Sequence, residues 1–328
     1  MAAKKTTKRS TSKKSAKKAA PKKAKSTKAK AKAKPAARRA KPAAKPAKAA
    51  KAAPPKKSAA PKAAKAPAPP KAAAAAVPTK SRFVWFDLVT KDLGAAQSFY
   101  KSLLGWETKD VDVAPPMNKY TMFVHNGEQF GGVIPPPDAN APPTWLPYIS
   151  VEDVDKVTNR AGALGGKVLM APADIPNVGR FSVISDPTGG VVSPMSFLQP
   201  PKPQQAQGLV GPVAWCELLT SDTAKAGAFY TDLFGWARNE IKMGPEMTYH
   251  MFKTGDRDAG GMAGLMPPLN HTAWVTYFAV PDVDERHGAA KAAGAKELVP
   301  PSDIPNVGRF SWLTDPQGAL FALFKGSM

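Results

Sequence analysis

Two strand-like segments place a carboxylate two residues after a tryptophan: Trp85 and Asp87 in FVWFDLV, Trp215 and Glu217 in VAWCELL. Residues two apart on a strand share a face, so each pair offers an aromatic plate and a carboxylate to one surface. That combination can stack a ligand and accept its hydrogen bond, or act as a general base. The structural alternative is a core tryptophan beside a carboxylate paired with an arginine. Arg180 and Arg309 lie inside a nonapeptide, DIPNVGRFS, that is written twice, at 174–182 and 303–311. Their planar forks could hold an anionic ligand, or steady a turn by bonding to carbonyls. His250 stands where the first copy has Thr121 and is a further ligand-binding candidate, with a local hydrogen bond as its alternative. His125, His271 and His287 fall at a turn, before a strand and on a helix, and read as solvated. Cys216 is the only cysteine; it replaces Phe86 on the face opposite Trp215 and reads as core. A lone cysteine excludes an intramolecular disulfide and a thiolate metal cluster.

A different chemistry occupies the N-terminus. Residues 1–80 hold 27 of the 47 Lys and Arg residues and no Asp or Glu, leaving 20 basic and 25 acidic residues for the remainder. The tail has no aromatic residue, no Leu and no Ile, so it has nothing to offset the entropy of ordering a backbone, and disorder is expected. Unfolded lysines can follow a phosphate backbone and release its counterions without reading bases, whereas stacking on single strands is excluded. Lys13, Lys14, Lys17, Lys18, Lys22, Lys23, Arg38 and Arg39 are representative contacts for DNA or another polyanion, with an acidic membrane surface as competitor. The longest apolar run in the tail, Ala72 to Val77, is too short for a signal peptide or a membrane span. These features suggest an intracellular, cytoplasmic protein associated with nucleoid or chromatin.

The elements that must position the candidate residues occur in duplicate. FVWFDLVTKDLGAAQSFYKSLLGW (83–106) is answered by VAWCELLTSDTAKAGAFYTDLFGW (213–236), with Trp85/Trp215, Phe99/Phe229, Tyr100/Tyr230 and Gly105/Gly235 at a spacing of 130 residues. YTMF and YHMF, and the two DVD triplets at Asp153 and Asp282, match at 129. The chain thus divides into a tail (1–80), a first domain (82–198), a linker (199–210) and a second domain (211–327). Within each copy the order strand, capped helix, three strands occurs twice. Asp92 is the expected N-cap of the first helix and Gly105 its end.

The motifs DLGAAQSFYKSLLG and DTAKAGAFYTDLFG, the V.DVD openings and the hairpins RFSVISDPTG and RFSWLTDPQG are together similar to those of the vicinal oxygen chelate superfamily, which includes glyoxalases, bleomycin-resistance proteins and extradiol dioxygenases. The tail resembles the C-terminal tails of linker histones and Lys/Ala/Pro-rich tails of some bacterial proteins. The first resemblance implies an α+β fold in which two tandem domains, each of two βαβββ modules, form incomplete barrels and pair within the chain. It also implies a divalent ion held by His and Glu in metal-dependent members. At the matching positions stand Trp85 and Trp215, the glycine-rich FGGVIP and AGGMAG, Leu146 or Trp145 and Val275 or Trp274, and Ser193 and Ala322. None is a family ligand, so neither a metal nor another cofactor is expected. Two classes of function stay open. One is a metal-independent glyoxalase-like lyase or related enzyme acting on a small molecule and tethered to DNA. The other is a non-catalytic protein, either nucleoid-associated or sequestering small molecules as bleomycin-resistance proteins do.

Overall fold

The computed structural model describes residues 81–115, 117–199, 211–243 and 247–327; the basic tail with its eight candidate residues, and most of the linker, lie outside them. The first copy runs β1 (Phe83–Val89), α1 (Leu93–Leu104), β2 (Glu107–Asp112), β3 (Lys119–His125), β4 (Glu128–Ile134), β5 (Thr144–Ser150), α2 (Val154–Ala163), β6 (Lys167–Ile175), β7 (Gly179–Ser185) and β8 (Val191–Phe197). The second repeats it: β9 (Val213–Thr220), α3 (Thr223–Phe234), β10 (Ala237–Lys242), β11 (Thr248–Thr254), β12 (Arg257–Gly264), β13 (Ala273–Ala279), α4 (Val283–Ala292), β14 (Lys296–Ile304), β15 (Gly308–Thr314) and β16 (Leu320–Gly326). Each helix starts where an aspartate caps it: Asp92, Asp153, Asp222 and Asp282 each accept a hydrogen bond from the backbone N–H three residues on, supplying an acceptor to an otherwise orphaned donor. Gly105 and Gly235 end α1 and α3 in the left-handed region, where a side chain would be strained.

Each copy forms one eight-stranded mixed sheet, in the order β2-β3-β4-β1-β5-β8-β7-β6 and its equivalent β10-β11-β12-β9-β13-β16-β15-β14. β1 pairs parallel with β4 and antiparallel with β5, so the two βαβββ modules of a copy join at their first strands. The outermost strands do not meet, and each sheet is an incomplete barrel. FVWFDLV has almost no polar alternation because β1 is buried on both sides. Phe86 and Leu88 face the helices, while Trp85 and Asp87 face the inside of the curl.

The helix-covered faces of the two sheets share one core. Phe278 of the second copy lies with its ring centroid 4.8 Å from Trp106 and 5.0 Å from Trp145 of the first. Phe83 reaches across to Trp274 at 5.2 Å. The paired motifs of the sequence meet across this boundary. Tyr100, from the first FY, donates to Asp315 in the second DP.G hairpin (3.2 Å) and accepts from Trp145 Nε1 (2.9 Å). In the mirrored place Tyr230 accepts from Trp274 Nε1 (2.8 Å) and faces Asp186, whose charge, after burial itself, helps push the phenol well above its usual range. Each aspartate is held by a fan of backbone N–H groups from its own turn.

Because Phe278 is fully buried between the copies, Phe278→Ala should cost about 3–5 kcal/mol. The chain should still unfold in one transition, since neither copy keeps a dry back face alone; urea unfolding followed by tryptophan fluorescence and by far-UV circular dichroism should give coincident curves for parent and variant.

Candidate functional site

On the inner face of each sheet the register stacks equivalent residues around one carboxylate. Asp87 lies opposite Gly132 on β4 and Leu146 on β5, while Trp85 pairs with Tyr148 and Tyr148 with Ser193 on β8. Glu217 lies opposite Gly261 and Val275, Trp215 pairs with Tyr277, and Tyr277 with Ala322. Both carboxyls are nearly sealed from water, at 4 % and 6 % exposure. Asp87 Oδ1 accepts from the Tyr120 hydroxyl (2.6 Å) and Trp85 Nε1 (3.0 Å), and Oδ2 accepts from the Tyr148 hydroxyl (2.8 Å). Trp85 Nε1 is also 2.8 Å from the Tyr120 hydroxyl. In the second copy Tyr277 donates to Glu217 Oε2 at 2.5 Å, Tyr249 is the second phenol on that carboxyl, and Trp215 Nε1 donates to Tyr249 at 2.8 Å.

Glycine is required at one point of this arrangement. A Cβ on Gly132 or Gly261 would collide with the ring of Tyr120 or Tyr249, so the double glycines of FGGVIP and AGGMAG admit the phenols to the carboxyl. Burial raises the pKa of Asp87 and Glu217, and the phenol donors only partly oppose this. The same burial, with the carboxyl charge next, pushes Tyr120, Tyr148, Tyr249 and Tyr277 well above the usual phenol range. Each cluster is a carboxyl–phenol–indole network in which Trp and Tyr faces line a partly open inner surface.

Four of the residues singled out in the sequence come together two by two: Trp85 with Asp87, and Trp215 with Glu217. Their partners are phenols, not an arginine. The arginines stand elsewhere. Arg180 binds Asp155 in the first turn of α2 through Nε (2.7 Å) and Nη2 (2.9 Å), and Asp174 through Nη1 (2.8 Å). Arg309 binds Asp284 and Asp303 in the same way, at 2.6, 2.8 and 2.9 Å. Their partners are carboxylates, not the carbonyls that a turn-steadying arginine was expected to find, and these bonds hold Asp155 and Asp284 below the usual carboxyl range.

The nonapeptide that carries the arginines forms a tight turn tied to its neighbouring elements. Val178 and Val307 close turns onto Ile175 and Ile304 (3.0 Å each), with Asn177 and Asn306 in the left-handed region at φ 63° and 62°, a conformation that asparagine tolerates. Gly179 and Gly308 pass so close to β8 and β16 that a Cβ would strike the Ser196 and Lys325 carbonyls.

His250 shares a face with Phe252 and lies in the helix-side core, away from Glu217; burial lowers its pKa, and its Nδ1 is 3.6 Å from Glu240 Oε1. Cys216 is buried in that core as well, and burial pushes its thiol up. His125 is half-buried and His271 exposed, but the expectation of a solvated His287 fails: it is 5 % exposed, 2.8 Å from Glu297 Oε2, because α4 packs it onto β14. Tyr120, Tyr148, Tyr249, Tyr277 and Trp312 were missed. The aligned YTMF and YHMF, and the tyrosine three residues after each of Trp145 and Trp274, were the available signals. Among the described residues no group of three or more His, Cys, Asp or Glu is arranged to hold a metal ion.

Two curled sheets of paired βαβββ modules, back to back and each with a lined inner face, define a tandem glyoxalase-type protein. The family described as Glyoxalase/Bleomycin resistance protein/Dioxygenase superfamily matches twice, at residues 82–192 and 213–323, and the chain belongs to it. Similar curated proteins include "Putative glyoxylase CFP32" of Mycobacterium tuberculosis, 40% identical over 251 residues that cover 74% of this chain and 93% of that one. "Anthracycline biosynthesis protein DnrV" of Streptomyces peucetius is 30% identical over 260 residues, 74% and 92% of the two chains. Among solved structures, the Mn(II)-bound glyoxalase from Novosphingobium aromaticivorans shares the fold at a TM-score of 0.51 and 16% identity, over 74% of this chain and 81% of that one. An extradiol ring-cleaving dioxygenase from B. fuscum does so at 0.53 and 15%, over 77% and 73%.

A carboxyl whose pKa is raised by folding holds its proton to higher pH than in the unfolded chain, so its contribution to stability falls as pH rises through that window. Asp87→Asn removes the titration at constant shape. The melting temperature of the variant minus that of the parent should therefore climb as pH rises above the ordinary carboxyl range, and a flat difference would show that folding does not raise the Asp87 pKa.

Proposed function

We propose that this is a metal-independent glyoxalase-superfamily protein that binds or transforms an aromatic small molecule on its inner faces and is tethered to DNA by its basic tail. The observation that carries the reading is the carboxyl–phenol–indole cluster built at the centre of both inner faces, where the family resemblance expects metal ligands. Divalent ions of this kind take imidazole, carboxylate or thiolate donors. Each inner face offers one carboxyl already occupied by phenol or indole donors, a set that does not fit such an ion. Trp85, Asp87, Trp215 and Glu217 are the candidates for ligand binding that these faces offer. Arg180, Arg309 and His250, with their partners above, supply no free group to the inner faces.

The network can orient a ligand by stacking and through the phenol oxygens, and its buried carboxyl can hold a proton. Because both Asp87 oxygens already accept hydrogen bonds, the cluster favours binding and sequestration over turnover as the second reading. A relative named for the biosynthesis of anthracyclines, a fused-ring aromatic class, supports an aromatic ligand. The tail's 27 positive charges support DNA as partner and a cytoplasmic, nucleoid- or chromatin-associated location. No helix among the described residues is long and apolar enough to cross a membrane.

Two measurements test this. Elemental analysis of tag-free protein purified without chelator should find zinc, iron, nickel and manganese far below one per chain; a stoichiometric metal lost in Asp87→Asn or Glu217→Gln would sink metal independence. Duplex DNA titrated at several salt concentrations should bind the full chain with a log–log slope of about −0.9 per phosphate neutralised, with little regard to sequence. Removal of residues 1–80 should abolish that binding. Equal binding without the tail, or preference for anionic vesicles throughout, would remove the tether.

A further inference from the structure

The two inner faces differ at one position that makes the second copy a guide to the first. Val183 and Trp312 are equivalent in RFSVISDP and RFSWLTDP. Trp312 is 1 % exposed, and its Nε1 donates to the Tyr277 hydroxyl at 2.9 Å, while Tyr277 donates to Glu217. In the second copy, a flat ring thus fills the space before the carboxyl cluster and uses the acceptor capacity of its phenol. The first copy keeps the same frame: Tyr148 donates to Asp87, and its ring lies 6.3 Å from Phe181 much as Tyr277 lies 6.4 Å from Phe310.

What the first copy lacks is the plug. Val183 is only half-buried there. Ser193, beside Tyr148 and hydrogen-bonded to it, also donates to the Ser182 carbonyl (2.7 Å); the phenol oxygen has two lone pairs, so a further donor can still be accepted. The rim agrees. Met170 pairs with Val183, as Val299 pairs with Trp312. Leu169 and Met170 are 55 % and 39 % exposed, whereas Leu298 and Val299 are half-buried against the cluster that contains Trp312.

We infer that the ligand site is the inner face of the first copy alone, and that it takes a flat aromatic molecule, at least the size of an indole, donating an N–H or O–H to the Tyr148 hydroxyl where Trp312 serves Tyr277. This deepens the small-molecule reading and rests on it. Trp312 is then a built-in occupant, and the second copy acts as scaffold.

Isothermal titration of the full chain with 2-naphthol, flat with one hydroxyl donor, and with 2-methoxynaphthalene, which lacks it, reads this directly. One 2-naphthol should bind per chain, about tenfold or more tighter than the ether, because a site built around a hydrogen bond discriminates against a ligand without it. Val183→Trp, which supplies the plug, should weaken binding by about tenfold or more without lowering the melting temperature, and Trp312→Val should add a second site. If Trp312→Val does not fold, Val183→Trp decides alone. Two sites in the parent, or undiminished binding by Val183→Trp, would overturn the assignment to the first copy and leave the small-molecule reading standing. If neither probe binds but native mass spectrometry finds a co-purified small molecule that Val183→Trp loses, the inferred ligand chemistry fails and the broader reading survives. No small molecule in any of these arms would overturn both.

Discussion

Everything in the folded part depends on one shared apolar boundary. Each sheet has a helix-covered face built from Phe, Trp, Tyr and Leu, and neither face is closed by its own two helices. Laying them back to back removes both from water, and the aromatic side chains that do so, Phe278 against Trp106 and Trp145, Phe83 against Trp274, interlock edge to face, the geometry their quadrupoles favour. The polar groups trapped in that boundary face one another in a mirrored pattern: a tyrosine of one copy faces an aspartate of the other, and the aspartate is steadied by backbone N–H groups of its turn. The two motifs by which the chain is recognised as a repeat are therefore two halves of one contact.

With the outer layers committed to that boundary, the inner faces are left to diverge. Both keep a sealed carboxyl under phenol and indole donors, which is costly to bury and is made tolerable by the hydrogen bonds those donors supply. Nothing requires the two faces to keep equal access. One valine-to-tryptophan difference on equivalent strands changes how far the rim residues are covered and how the phenol spends its acceptor. Duplication thus yields one compact unit with two related but unequal surfaces, and the nonapeptide holds the same hairpin to the same helix in both through an arginine gripped by two aspartates.

Much of the architecture was legible in the residues. The repeat, the Asp and Gly helix boundaries, the βαβββ order and the face shared by Trp85 and Asp87 follow from spacing, capping and the strand period. The partners of the nonapeptide's arginines were not legible, because Arg180 meets Asp155 from another element 25 positions away, and local sequence does not say which carboxylate will lie beneath a turn. His287 was misjudged for a related reason: a helix position looks solvated until the strand beneath it is known. Tyr148 and Tyr277 escaped notice because a tyrosine in a buried strand is ordinarily core, and only the pairing of β5 with β1 and β8 brings its hydroxyl to the carboxyl.

By itself the sequence determined the duplication, the strand and helix order, the family, and the separation of a polycationic tail from a mildly acidic remainder, since all of these are carried by composition and short-range periodicity. Only the tertiary structure decided which donors surround Asp87 and Glu217, that His250 is buried, and that Trp312 is sealed in one inner face while Val183 is half-buried in the other. Those outcomes depend on sheet register and on close packing between strands far apart in the chain, where a shift of one residue turns every side chain to the opposite face.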